Sequence, residues 1–241
     1  MRVGVYIDGF NLYYGGRGLC GRGTPGWRWL DIRKLADLIC SRNRLWEKPV
    51  VERVVYCTAP IKGSPLARKD QATYVHALES SDSVDIVEYG NFVERVSSGP
   101  LAIKGLRGQP QLVHPSQLQL FGDTPGIKVM SDKVKVSYSK REEKGSDVNV
   151  ASYLLVDLYE DRIDAALVIS NDSDLEFAVR AARTKIPVGI VNPTKARLVG
   201  KLASEPDFGA GRHFSMQLTK EHFTENQLPN PVGSFRKPVG W

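Results

Sequence analysis

The chain opens on an unbroken apolar run, Val3 to Ile7, that ends in an acid, Asp8. Apolar at successive positions and rich in β-branched side chains, this run reads as a strand buried on both faces. Residues 9–29 hold many Gly and aromatics and show no period, so they are expected to form a loop. Asp31 is placed to cap a helix running to about Arg44, with Leu35, Leu38, Ile39 and Arg42 on one side. Val50 to Cys57 is a second strand, Pro65 to about Glu79 a polar amphipathic helix, and Val84 to Val93 alternates like a third strand. Residues 97–131 carry Gly and Pro at nearly every turn position, which predicts a long inserted loop with room for a hairpin. Val134 to Tyr138 is a short strand.

Beyond that stretch the pattern sharpens. Ser146 precedes a helix with Ala151, Leu154, Leu155 and Leu158 at i, i+3, i+4 and i+7. Ala165 to Ile169 is wholly apolar; Asp172 or Ser173 then opens a helix with Leu175, Ala178, Ala181 and Ala182 inward. Val188 to Val191 is another apolar strand, followed by a helix expected from Thr194 to about Ala203. Strands apolar on both faces, alternating with helices, predict an α/β fold with a parallel central sheet covered by helices on both faces. After Phe214 the chain turns polar, and residues 216–241 read as a C-terminal tail.

Composition narrows the classes. With 41% hydrophobic and 25% charged residues the chain is an ordinary globular one. The net charge of +6 suits a polyanionic partner. The 3 Cys, Cys20, Cys40 and Cys57, form no C-x-x-C pair, which argues against a disulfide framework and a Cys-rich zinc site and for a cytoplasmic protein. No apolar run approaches the ~20 residues of a membrane span, and the opening is too soon interrupted to be a signal peptide. A homo-oligomer is left open.

In an open parallel sheet the ligand lies beyond the C-terminal ends of the strands. Asp8 ends the first strand, Asp172 and Asp174 follow the "AALVIS" strand, and Asp147 stands in the first turn of the helix leading into it. Clustered carboxylates repel, and a divalent cation with oxygen ligands, Mg²⁺ or Mn²⁺, relieves the repulsion. Each acid also has a plainer reading, as a helix cap or turn residue. Asp157, ten residues beyond Asp147 and so ~15 Å along the helix, reads as a surface or more remote acid.

The segments "VYIDGFNLYY", "KGSDVNVA" and "LVISNDSDLEFAVRAAR" resemble, in order and spacing, the signature motifs of NYN domains, members of the PIN-like nuclease superfamily. The resemblance covers roughly residues 1–215, leaving 97–131 as an insertion and 216–241 as the tail. It implies a Rossmann-like PIN/NYN fold and a metal-dependent ribonuclease acting on single-stranded or loosely structured RNA. Carried over by position, Asp8, Asp147, Asp172 and Asp174 would be the metal-binding acids. Asn11 would orient the first loop or the attacking water, and Ser170 would be a supporting hydroxyl. Asn171 stands where the family commonly has Gly, and Leu175 where it commonly has Phe.

Other features bear on the partner. Lys144, Arg17, Arg22 and Arg28 are candidate phosphate contacts. Residues 97–146 carry eight Lys or Arg against four acids, Asp123, Asp132, Glu142 and Glu143, which suits a phosphate backbone. Tyr13, Tyr14, Trp27 and Trp29 would either stack on bases or pack onto the domain. Gly16-x-Gly18-x-x-Gly21 matches the dinucleotide pattern literally, but it follows no strand directly and Gly23, Pro25 and Gly26 come after it, so no nicotinamide or flavin cofactor is expected. Phe10, two positions after Asp8, lacks the second acid that a haloacid-dehalogenase-type phosphatase needs. The rival readings are a non-catalytic RNA-binding module and a nuclease acting on DNA.

Overall fold

A computed structural model of the chain describes residues 1–118, 125–203 and 206–241. They divide into two units, Met1–Asn91 with Lys144–Trp241, and Phe92–Glu143.

The larger unit is built on a six-stranded parallel sheet. Its strands are β1 (Arg2–Asp8), β2 (Val50–Thr58) and β3 (Ile86–Tyr89) on one side, and β9 (Ala165–Ile169), β10 (Val188–Asn192) and β11 (Phe214–Gln217) on the other. The order is β11-β10-β9-β1-β2-β3. The chain therefore winds outward from β1 in one direction, then restarts at β9 and winds outward in the other. The seam between β1 and β9, where Val3 to Ile7 pair with Ala165 to Ile169, is the topological switch point.

Both faces of the sheet are covered, as the continuous apolar strands require. Val3, Val5, Ile7, Val54 and Leu167 point to one face, against α1 (Gly9–Cys20), α2 (Ile32–Arg42) and α3 (Pro65–Ser80). Tyr6, Val55, Cys57, Ala166 and Val168 point to the other, against α4 (Ser146–Tyr159) and α5 (Glu176–Arg183). Asp157, read from the sequence as a surface or more remote acid, lies fully buried on this second face. Its carboxylate accepts from Tyr6 Oη at 3.0 Å and is paired with Arg162 at 3.0 Å and Arg53 at 2.9 Å. Two guanidiniums and a phenol make that burial tolerable.

Three expectations are corrected in this unit. The segment expected as a loop over 9–29 begins with α1. Its Gly15 and Gly16 are needed for close approach: a Cβ on Gly15 would collide with the Pro193 carbonyl, and one on Gly16 would meet the Phe223 ring at 2.6 Å. The 194–203 segment is no α-helix, only a short 3-10 turn at Gly200–Leu202. Here Asn192 Oδ1 accepts from Thr194 N–H at 2.9 Å and its Nδ2 donates to Ala196 O at 2.7 Å, so side-chain bonds replace a helix ladder. Residues 216–241 are not an appended tail. After β11 and the short α6 (Lys220–Thr224), Leu218, Phe223, Leu228 and Val232 join the core with Trp27 and Trp29, and Trp29 Nε1–H donates to Pro229 O at 2.8 Å.

The expected insertion, 97–131, widens to the whole second unit and is mostly strand; its residues 119–124, Asp123 among them, lie outside the described residues. β4 (Asn91–Pro100), β8 (Val134–Lys144) and β7 (Ile127–Val129) form one sheet, and β5 (Ala102–Lys104) pairs antiparallel with β6 (Pro110–Leu112). Arg95–Glu142 and Arg141–Glu94, each at 3.0 Å, tie β4 to β8. Exposed pairs of this kind contribute about 1 kcal/mol or less each. Among the described residues, no helix is long and apolar enough to cross a membrane.

Candidate active site

At the C-terminal edge of the sheet, carboxylate oxygens of Asp8, Asp147 and Asp172 lie within 4.8 Å of one another. Three segments distant in sequence deliver them. Asp8 is the last residue of β1 and caps α1, its Oδ1 accepting from Asn11 N–H at 2.9 Å. Asp147 stands in the first turn of α4, which the left-handed Gly145 (φ 101°) starts in place of a side-chain cap. Asp172 follows β9 and caps the 3-10 turn Ser173–Leu175, its Oδ1 accepting from Asp174 N–H at 3.0 Å. The positive ends of α1 and α4 thus face the acids.

The resemblance put a fourth acid here, and the structure does not bring it in. Asp174 is exposed and is not one of the three converging side chains; its backbone N–H, not its carboxylate, serves the cluster.

Ser170 and Asn11 fix the geometry. Ser170, fully buried, donates from Oγ to Asp8 Oδ2 at 3.3 Å and accepts from Asp172 N–H at 3.1 Å, so one hydroxyl ties two of the acids. Asn11 Oδ1 accepts from Asn171 N–H at 3.0 Å, bridging the start of α1 to the β9 loop. Asn171 uses its side chain to hold the next loop: Oδ1 accepts from Val199 N–H at 2.9 Å, and Nδ2 donates to Thr194 Oγ1 and Arg197 O, each at 3.3 Å.

Burial and neighbouring charge both act on the groups of this edge. Burial pushes the Asp8 carboxyl up to about 6; Asp172 adds to the rise, and the bonds from Asn11 and Ser170 oppose it. Beside it, burial pushes the Cys57 thiol up to about 12, with Glu88, Asp8 and Asp147 contributing in that order. Glu88 escaped the sequence analysis. It lies near the end of β3 in register with Cys57, which is itself in register with Asp8, and its Oε2 accepts from Tyr153 Oη of α4 at 2.7 Å. The signal that would have found it is the one that found Asp8: an acid at the C-terminal end of a strand.

The candidate phosphate-binding cations divide. Lys144 is exposed just before Gly145, and the Arg17 guanidinium lies 6.0 Å from the Tyr14 ring centroid on α1. Arg22 is exposed, but its carbonyl accepts from Arg28 Nη2 at 2.8 Å. Arg28 also covers the Trp27 ring at 5.2 Å and reaches Gly240 O, so it holds the loop and the chain end together. Trp27 and Trp29 are core, while Tyr13 and Tyr14 stay exposed. The G-x-G-x-x-G glycines fall in the C-terminal half of α1 and just past it, away from the helix N-terminus where a pyrophosphate would bind. Cys20, Cys40 and Cys57 are free and buried.

No family model matches the sequence. The chain is 28% identical over 258 aligned positions to the 6-hydroxy-3-succinoylpyridine 3-monooxygenase HspA of Pseudomonas putida, a match spanning all of this chain and 75% of that protein. A solved structure of a protein of unknown function from Vibrio parahaemolyticus superimposes with a TM-score of 0.46 at 12% identity, covering 92% of this chain and 94% of that one.

Proposed function

We propose that this chain is a divalent-metal-dependent endoribonuclease on a Rossmann-like fold of the PIN/NYN type, cleaving single-stranded or loosely structured RNA. The observation that carries the reading is the meeting of Asp8, Asp147 and Asp172 within 4.8 Å at the sheet's switch point. Like charges this close, one of them buried, are unfavourable unless a cation shares them. The donor set is entirely hard oxygen, which fits Mg²⁺ or Mn²⁺. Asp8, Asp147 and Asp172 would hold the ion. Such an ion would polarise a phosphoryl oxygen and make a bound water more acidic, and so a better nucleophile.

The chain's own residues do the rest. Ser170 and Asn11 set the positions of Asp8 and the Asp172 loop, so the oxygens need little rearrangement on binding. Lys144 and Arg17 are the cations assigned to the RNA backbone, and the net charge of +6 favours a polyanion as partner.

The test is cleavage of end-labelled single-stranded RNA with added Mg²⁺ or Mn²⁺. Wild type is expected to cut and to stop in excess EDTA. Asp147→Asn is expected to lose at least a hundredfold in rate with an unchanged circular dichroism spectrum. Cleavage that survives EDTA, or an Asp147→Asn variant as fast as wild type, overturns the reading. A DNA strand of the same sequence, cut faster than the RNA, would move the substrate to DNA.

The name of the Pseudomonas relative favours a second reading, oxygenation of a hydroxylated pyridine. The donor set weighs against iron of the two-His-one-carboxylate kind, because the converging group holds three Asp and no His. Substrate-dependent oxygen uptake with 6-hydroxy-3-succinoylpyridine and an electron donor, absent in Asp147→Asn, would establish this reading instead.

A further inference from the structure

We infer that the solvent face of α1, formed by Phe10, Tyr13, Tyr14 and Arg17, is a stacking platform for the bases of single-stranded RNA next to the acidic cluster. The inference deepens the ribonuclease reading and rests on it for the identity of the polymer.

These four residues fall at i, i+3, i+4 and i+7, so they form one stripe on the helix. The opposite face, with Leu12, Gly15, Gly16 and Cys20, is the one the core uses. Tyr13 is 40% and Tyr14 59% exposed, so the rings are not needed to fill the interior. They are nevertheless ordered against one another. Phe10 and Tyr14 lie near parallel at 6.5 Å, Tyr13 meets Tyr14 edge-on at 5.3 Å, and the buried Trp27 supports Tyr13 from below at 5.6 Å. A preformed set of rings costs little to immobilise when a base stacks on it.

Charge and position select the partner. α1 contains no acid, and Arg17 sits over the Tyr14 ring, so the stripe offers aromatic faces together with a cation. That pairing is what single-strand binding surfaces use, because every base has a π-face and every nucleotide a phosphate. The stripe also starts at the reacting centre, since α1 is capped by Asp8 itself. Tyr14 is six residues beyond Asp8, about 9 Å along the axis at ~1.5 Å per residue. That is the length of two to three stacked nucleotides at ~3.4 Å each. A strand with one phosphate at the acids would lay its next bases along this helix.

The experiment is fluorescence anisotropy of a labelled single-stranded RNA in EDTA, where binding is read without cleavage. Tyr14→Ala is expected to weaken binding about tenfold, Tyr14→Phe to stay near wild type, and duplex RNA to show no dependence on Tyr14. Tyr159→Ala removes a ring that is 72% exposed at the far end of α4, and is expected to bind as wild type does. The proposal falls if Tyr14→Ala binds within twofold of wild type, or if Tyr159→Ala loses as much. It falls too if Tyr14→Ala dissociates a wild-type dimer in sedimentation while RNA binding is unchanged, since the stripe would then be an interface between copies. If Tyr14→Ala weakens binding but wild type cleaves no RNA with any metal, the platform stands and the ribonuclease reading fails. If wild type cleaves and Tyr14→Ala changes nothing, the reverse holds.

Discussion

Replacing Asp8 with Asn should stabilise the metal-free protein while disabling it. Asp8 is 3% exposed, and burial lifts its carboxyl from 3.8 to about 6. The folded state therefore holds a proton that the unfolded state has already released between those two values. Wild-type stability falls as pH rises through that window and levels off above about 6. The full difference is worth about 3 kcal/mol at ~1.36 kcal/mol per pH unit, a ceiling on what removing the charge can return. In Asp8→Asn the amide oxygen would still accept from Asn11 N–H, while the amide nitrogen would donate to Ser170 Oγ in place of accepting from it, so the Ser170 hydroxyl proton loses its acceptor and part of the gain is offset. A realised gain of about 1–2 kcal/mol corresponds to roughly 2–8 °C in a domain of this size. Thermal melts in EDTA should show Asp8→Asn more stable than wild type at pH 8 and equal to it at pH 4. With saturating Mn²⁺ at pH 8 the order should reverse, since a ligand at a hundred times its Kd adds about 2.7 kcal/mol only to the protein that binds it. A variant less stable than wild type at pH 8 in EDTA, or an offset identical at both pH values, would refute the argument that Asp8 is a buried charge awaiting a cation.

The same geometry orders the other acids: Asp172→Asn should weaken Mn²⁺ binding by an order of magnitude or more in calorimetry, while Asp174→Asn, whose carboxylate does not join the cluster, should stay within about threefold of wild type. Mn²⁺ affinity should drop as pH falls below about 6, because the Asp8 carboxyl must lose its proton to bind; a flat affinity between pH 5 and 7.5 would contradict this. Gly15→Ala should cost about 1–3 kcal/mol by urea denaturation, because the new methyl collides with the Pro193 carbonyl and overpacking outweighs helix propensity. Gly18→Ala on the same helix, with nothing within 4 Å, should instead gain up to ~1 kcal/mol.

What could be read from the sequence was what depends on near neighbours. β1, β9 and β10 are apolar on both faces, and that alone implies a parallel sheet with helices on either side. α1 escaped because its pattern answers to distant partners. Gly15 and Gly16 are small so that Pro193 and Phe223 can approach, and no local period reveals a contact made with the far end of the chain. The chain after Phe214 reads as polar because its apolar residues are sparse, yet Leu218, Phe223, Leu228 and Val232 are each placed to close the core over Trp29. The segment after β10 was expected to be helical, but Asn171 and Asn192 supply bonds that only the folded loop can use.

The acids carry a different lesson. Helix capping and ligand binding stand as competing explanations for Asp8 and Asp172 in the sequence, since an Asp before an apolar run has an ordinary structural reason to be there. In the folded chain they are one device. Asp8 Oδ1 is fixed by Asn11 N–H and Asp172 Oδ1 by Asp174 N–H, which sets the direction of each carboxylate and still leaves each able to turn an oxygen toward Asp147. A cap is a mount, because its hydrogen bond to a backbone N–H of the following turn fixes the direction of the carboxylate. Asp174 shows the converse: its carboxylate stays outside the converging group, and its backbone N–H is what takes part. Capping geometry thus distinguishes Asp8 and Asp172, whose carboxylates accept from the turn that follows, from Asp174, which supplies a donor; Asp147 joins the pair from the first turn of α4 without capping it.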